Sequence, residues 1–176
     1  TGVRQGELAS IDLAIAFARE RFGADPIDDY RRALEEIEEA IAAGGGSASS
    51  YASRALFRTR LAERSPDPIP LLEEAVKDTA RSIELDPDNH PVRENRVGSM
   101  LVLAKYRFQA DQLVESELDA LHAELDLCVE RFGNWSTTIF YRASVTILEV
   151  GLAVREGRDV ADPCERALRA MRSSME

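Results

Sequence analysis

The chain has 176 residues, 44% of them apolar and 31% charged, with a formal net charge of −10 and a pI near 4.8. That is enough apolar material for one continuous core, and the acidic balance excludes the basic surface on which non-specific nucleic-acid binding depends. No run reaches the roughly 18 consecutive apolar residues of a membrane-spanning helix, so no membrane partner and a soluble, cytoplasmic protein are expected.

The start, Thr1-Gly2-Val3-Arg4-Gln5-Gly6-Glu7, is polar and has no signal-peptide pattern. It lacks an initiator Met, from which a processed or excised part of a longer protein is expected. Lys77 and Lys105 are the only lysines among 22 basic residues. That bias towards Arg, with the abundance of Ala, Asp and Glu, resembles the usage of a high-GC bacterial genome. Cys128 and Cys164 are far apart, which predicts reduced, isolated thiols.

Apolar residues recur at three- and four-residue spacing almost throughout, the period of amphipathic helices. A first helix is predicted over about 7–22, stopped by Gly23. A second begins at Asp25-Pro26-Ile27 and runs to about Ala43, where Gly44-Gly45-Gly46 ends it. Proline in the first turn and glycine after the last follow the known asymmetry of helix ends. Ser47 to Ser50 offer caps for a third helix to about Glu63. The fourth starts at Asp67-Pro68-Ile69 and closes at Leu85-Asp86-Pro87. The fifth covers about 91–108 and the sixth about 111–132. The seventh spans about 136–156, and the eighth runs from Asp162-Pro163 to near Arg172. No run alternates with period two, so no sheet is expected. Short connections make successive helices antiparallel neighbours, giving hairpins over about 7–43, 48–85, 91–132 and 136–174.

These hairpins repeat. A shift of 42 residues aligns Asp25, Pro26, Ile27, Ala33, Ile41, Arg54, Leu61 and Ala62 with Asp67, Pro68, Ile69, Ala75, Ile83, Arg96, Leu103 and Ala104. A third copy follows after a longer step. Val129 precedes Arg142 by 13 residues, as Ile83 precedes Arg96 and Ile41 precedes Arg54. A period of 42–46 built from helix pairs predicts an all-α superhelix, a solenoid of about four antiparallel hairpins in one domain over 1–176.

The stretch Glu73-Glu74-Ala75-Val76-Lys77-Asp78-Thr79-Ala80-Arg81-Ser82-Ile83-Glu84-Leu85-Asp86-Pro87-Asp88-Asn89 resembles the second helix and exit loop of a tetratricopeptide (TPR) repeat. Ala75 matches the small residue that lets two helices approach closely, and Pro87 matches the terminating proline. Ser82 stands where the family prefers Ala. Beyond it, Val97-Gly98 resembles the Leu-Gly pair of the next first helix. Small residues at a crossing bring backbones together, and proline prevents continuation. Elsewhere the likeness loosens. Ala33 and Ala143 fall at small positions, but Gly44 and Gly133 replace the exit proline, and the period exceeds the family's usual 34 residues. The long form is reminiscent of arrays attached to bacterial signalling proteins. The resemblance implies a protein–protein interaction scaffold, with a regulatory or sensor array of a multidomain kinase or protease as the alternative.

Chemistry finds little footing. Asp28-Asp29 is half of an aspartate-rich metal motif without its second half, and reads as a solvated first turn favoured by the helix dipole. Asp119 and His122 have the three-residue spacing of bundle metal sites, but in one copy only, and read as an exposed, ion-paired face. Cys128 lies in the stripe Leu125, Leu127, Cys128, Phe132 and reads as core. Gly44-Gly45-Gly46-Ser47 lacks the lysine and the preceding strand of a phosphate loop and reads as a flexible turn. No metal, cofactor or catalytic residue is therefore expected; a helical small-molecule or metal-dependent enzyme would instead show a deep cavity lined by paired carboxylates.

Arg54, Arg96 and Arg142 recur at equivalent points of successive hairpins. The TPR likeness implies that those first helices line a concave groove, so the three are candidates to grip the carboxylates of a partner protein or peptide through their bidentate forks. The competing account pairs each with an acid of its own chain. Trp135, Phe140 and Tyr141 read as packing between the last hairpins. A truncated array also leaves apolar end faces through which copies self-associate.

Overall fold

The computed structural model describes residues 15, 18–133 and 136–173. All regular structure among them is helical, with no strand. Of the helix expected over 7–22, most lies outside the described residues; 18–21 is helical and ends at Gly23. Seven longer helices follow: α1 (Ile27–Ala40), α2 (Ala48–Ala62), α3 (Ile69–Leu85), α4 (His90–Gln109), α5 (Glu115–Phe132), α6 (Ser136–Arg155) and α7 (Ala161–Ser173). Each matches a predicted helix.

The ends are set by local chemistry. A wider turn of π-helix over Ile41–Gly45 closes α1, and Gly44 takes φ +86°, where an L side chain is strained. Ser47 caps α2 by accepting the Ser50 N–H at 3.1 Å. The α5 start departs from expectation. Residues 110–114 are not helical, because the chain turns at Asp111 with φ +56° and both Gln112 and Leu113 donate their N–H to the Arg107 carbonyl. Glu117 then accepts the Val114 N–H at 3.2 Å, half of a capping box at the new start.

The chain divides into two compact units, Thr1–Asn95 and Arg96–Glu176, the boundary falling inside α4. In the first, α2 and α3 form a tight antiparallel hairpin. The Ser82 hydroxyl near the end of α3 donates to the Ala48 carbonyl at the start of α2 at 2.7 Å, so this buried serine finds an acceptor inside the crossing. Ala75, Thr79 and Ser82 are fully buried along this crossing. Tyr30, Ala33 and Ile37 of α1 pack on Phe57 and Leu61 of α2 as the core, with the Tyr30 and Phe57 rings tilted at 6.5 Å.

In the second unit, Leu118, Leu121, Leu125 and Cys128 turn one stripe of α5 inwards. They meet Val97 and Ala104 of α4 and Val145, Leu148 and Leu152 of α6. Two glycine contacts fix how α4 and α6 lie. A Cβ on Gly98 would sit 3.0 Å from the Tyr141 hydroxyl, and one on Gly151 would sit 2.9 Å from the Phe108 ring. Each contact joins residues 43 apart, so α4 and α6 run parallel in one register. Gly98 thus serves close helix approach, with Tyr141 as what it meets.

Candidate functional site

Arg54, on α2, donates to both carboxylate oxygens of Asp78 on α3, at 2.8 and 2.5 Å. Its guanidinium also lies over the Tyr51 ring, 5.3 Å from the centroid. The bonds to Asp78 raise the Arg54 pKa above its ordinary value, against the lowering effect of burial. Arg58 donates to the same Asp78 at 2.7 Å and to Glu38 of α1 at 2.8 Å. Asp78 itself is buried, so this is a network internal to the first unit.

Arg96 donates to Glu124 of α5 at 3.1 Å. Arg142 donates to Asp126 of α5 at 2.5 Å, and that aspartate is largely exposed. Arg54 and Arg96 therefore reach forward to the helix after their own, whereas Arg142 reaches back to the helix before. Equal spacing along the chain does not give equal surroundings, and each of the three guanidiniums has an acidic partner in its own unit.

The other chemistry-bearing residues separate in the same way. Asp28 is exposed and paired with Arg31 at 3.1 Å. Asp29 is buried rather than solvated, held by Arg32 at 2.7 Å and Arg19 at 3.3 Å; a first-turn aspartate at that depth needs cations, and two arginines supply them. His122 pairs with Glu149 of α6 at 2.9 Å, and Arg166 approaches the same carboxylate at 3.5 Å. Cys128 is buried in the core and Cys164 is exposed. Among the described residues no group of three or more His, Cys, Asp or Glu is placed to hold a metal ion.

The second unit also carries a surface that the sequence reading missed. Leu101, Val102 and Lys105 of α4 and Phe140, Ser144, Ile147 and Leu148 of α6 line an open groove of about 380 Å³. It lies between the two glycine contacts that set the α4–α6 register. Phe140 is 64% and Ile147 72% exposed. Phe140 was expected to pack between hairpins; its ring instead lies 6.0 Å from Tyr141 on the outer face. Tyr141 does pack against the core, and Trp135 is outside the described residues. Phe140, Ile147 and Val154 follow at seven-residue steps, two helical turns each, so all three exposed side chains share one face of α6. The signal available beforehand was that spacing, in a helix whose polar stripe is Arg142, Thr146 and Glu149. Residues 137–155 are, by length and composition alone, apolar enough to cross a membrane. Comparisons with protein-family models, with curated proteins and with solved structures find no match.

Proposed function

We propose that this chain is a TPR-like helical-repeat module that recognises a partner protein and performs no catalysis. Its recognition surface is the α4–α6 groove. The observation that carries the reading is the exposure of Phe140 and Ile147 along an apolar groove between two parallel helices. Parallel first helices separated by an antiparallel second helix are what stacked hairpins produce, and those helices supply the binding face of such arrays. Large apolar side chains left in water, next to a concavity, mark interaction sites.

The recurring arginines stay candidates for a secondary role. Gripping a partner's carboxylates would require exchanging the bonds to Asp78, Glu124 and Asp126. That exchange is least costly at Arg142, whose acceptor is exposed.

Selection of a random peptide library against the immobilised chain tests the reading. Selected peptides should compete for one site, lose binding to Phe140→Asp and Ile147→Asp, and keep most of it with Arg142→Ala. Peptides indifferent to both aspartate substitutions would refute the groove.

A further inference from the structure

The groove has an apolar wall and one charge. The Ser144 hydroxyl donates to the Phe140 carbonyl at 2.9 Å, so its proton is already used. Lys105 is exposed on the rim, and among the described residues no hydrogen bond or ion pair holds its ammonium. The contrast is with its neighbours. Arg107 is held by Glu117, Arg142 by Asp126, Arg155 by Asp111 and Arg158 by Glu115. In a chain with 32 acidic residues, a cation left without one beside an apolar groove is complementary to an acid that comes from outside.

The walls decide the shape of the occupant. Both are helices, whose backbone N–H and C=O groups are used within the helix. An extended peptide laid there would find no backbone partners and would desolvate its own amides against apolar side chains without compensating hydrogen bonds. A helix satisfies its own backbone and presents apolar residues at i, i+3, i+4 and i+7. Phe140 to Ile147 is two turns, roughly 10 Å, and Val154 extends the stripe by another two. An occupant of about 15 residues spans the whole face.

Resting on the reading of the groove as the recognition surface, we propose that its occupant is an amphipathic helix of a partner protein, with an apolar face on Phe140 and Ile147 and a carboxylate on Lys105. The net charge of −10 opposes any acidic partner at a distance, but screening confines that field to about 8 Å at physiological salt. A single carboxylate in contact with Lys105 therefore outweighs it, whereas an acidic run would not.

Two labelled, alanine-based helical peptides of about 15 residues test the proposal, as a helix that short needs strong formers. Both carry leucines at i, i+3, i+4 and i+7; one has Glu and the other Lys a turn beyond the last leucine. By fluorescence anisotropy with the full chain, the Glu peptide should bind about tenfold tighter than the Lys peptide. Lys105→Glu should reverse that order, and Ile147→Asp should abolish both, with helical content unchanged. Equal affinity for the two peptides, both lost with Ile147→Asp, overturns the carboxylate proposal while leaving the groove reading intact. Binding of neither peptide overturns the proposal, and the library selection then decides the groove separately. Two other outcomes overturn it by naming a different occupant. One is a dimer in sedimentation that Ile147→Asp dissociates, which seats a second copy in the groove. The other is binding to vesicles of equal phosphatidylcholine and phosphatidylglycerol that Ile147→Asp removes, which makes the face a membrane surface.

Discussion

Among the ion pairs of the described residues, replacing Asp78 by Leu should be the most destabilising single change to the first unit. The carboxylate is 5% exposed and accepts from Arg54 and Arg58, which are 18% and 12% exposed. Three charge-assisted bonds, at 2.8, 2.5 and 2.7 Å, converge on it. Their removal leaves two mostly desolvated guanidiniums. Arg58 keeps its hydrogen bond to Glu38 at 2.8 Å, whereas Arg54 keeps only the Tyr51 ring and the more distant charge of Glu38. Breaking a buried pair in this way costs about 3–5 kcal/mol, and the retained Glu38 contact places the expectation near 3. Arg142→Ala provides the contrast. Its Asp126 partner is 67% exposed, so its loss should cost less than about 1 kcal/mol. Urea unfolding followed by far-UV circular dichroism measures both. Changing Arg54→Met, Arg58→Leu and Asp78→Leu together should recover most of the loss, because nothing charged is then left buried. If Asp78→Leu alone unfolds within 1 kcal/mol of the parent, the network is open to water and the reasoning fails.

Burial first, and then the charge of Glu20, push the Tyr30 hydroxyl above its ordinary value of 10.0. An acid whose folded pKa lies above its unfolded one contributes stability that is complete below the unfolded value and is lost as pH rises through the folded value. The parent should therefore lose melting temperature above pH 10 more steeply than Tyr30→Phe; parallel curves would show that Tyr30 ionises freely. Gly98→Leu should cost about 1–3 kcal/mol by overpacking α4 against Tyr141. Gly98→Ala should be nearly neutral, since the gain in helix propensity of about 1 kcal/mol offsets a hydroxyl 3.0 Å away at the end of a side chain that can swing. A Leu variant as stable as the Ala variant would remove the close approach.

The helices were legible because Pro26, Gly44, Pro68, Pro87, Gly133 and Gly157 punctuate the chain at most breaks of the apolar period. The one displaced boundary shows what such punctuation omits. Asp111 is turned by a positive φ and held by Arg155, 44 residues later, at 2.5 Å, a tertiary contact with no local signature. The arginine spacing was legible too, but not its meaning. A guanidinium facing a ligand and one facing Asp78 are the same letter at the same step. Asp29 reads as a solvated first-turn residue until Arg19 and Arg32 are seen around it. The groove stayed hidden because Ile139, Phe140, Tyr141, Val145, Ile147, Leu148 and Val150 make α6 apolar on most of its circumference, with Arg142, Thr146 and Glu149 as its polar stripe. Its inner face is chosen by α4 and α5, not by its own sequence.

That choice makes the outer stripe testable as something the fold does not need. Leu148 and Leu152 face the core, and Leu152 is 2% exposed. Leu152→Ala should cost about 2–5 kcal/mol, the transfer of a buried side chain plus the cavity it leaves. Ile147, at 72% exposed, has only about a quarter of its surface to lose. Taking full burial of such a side chain as roughly 1.5–3 kcal/mol, Ile147→Ser should cost well under 1 kcal/mol, and at Phe140 the same reasoning gives about 1 at most. Urea midpoints of the three variants measure the difference. A stability cost for Ile147→Ser equal to that of Leu152→Ala would make the stripe part of the core and remove the groove. A small cost leaves large apolar side chains in water that contribute almost nothing to folding. That is what the proposed recognition surface requires of them.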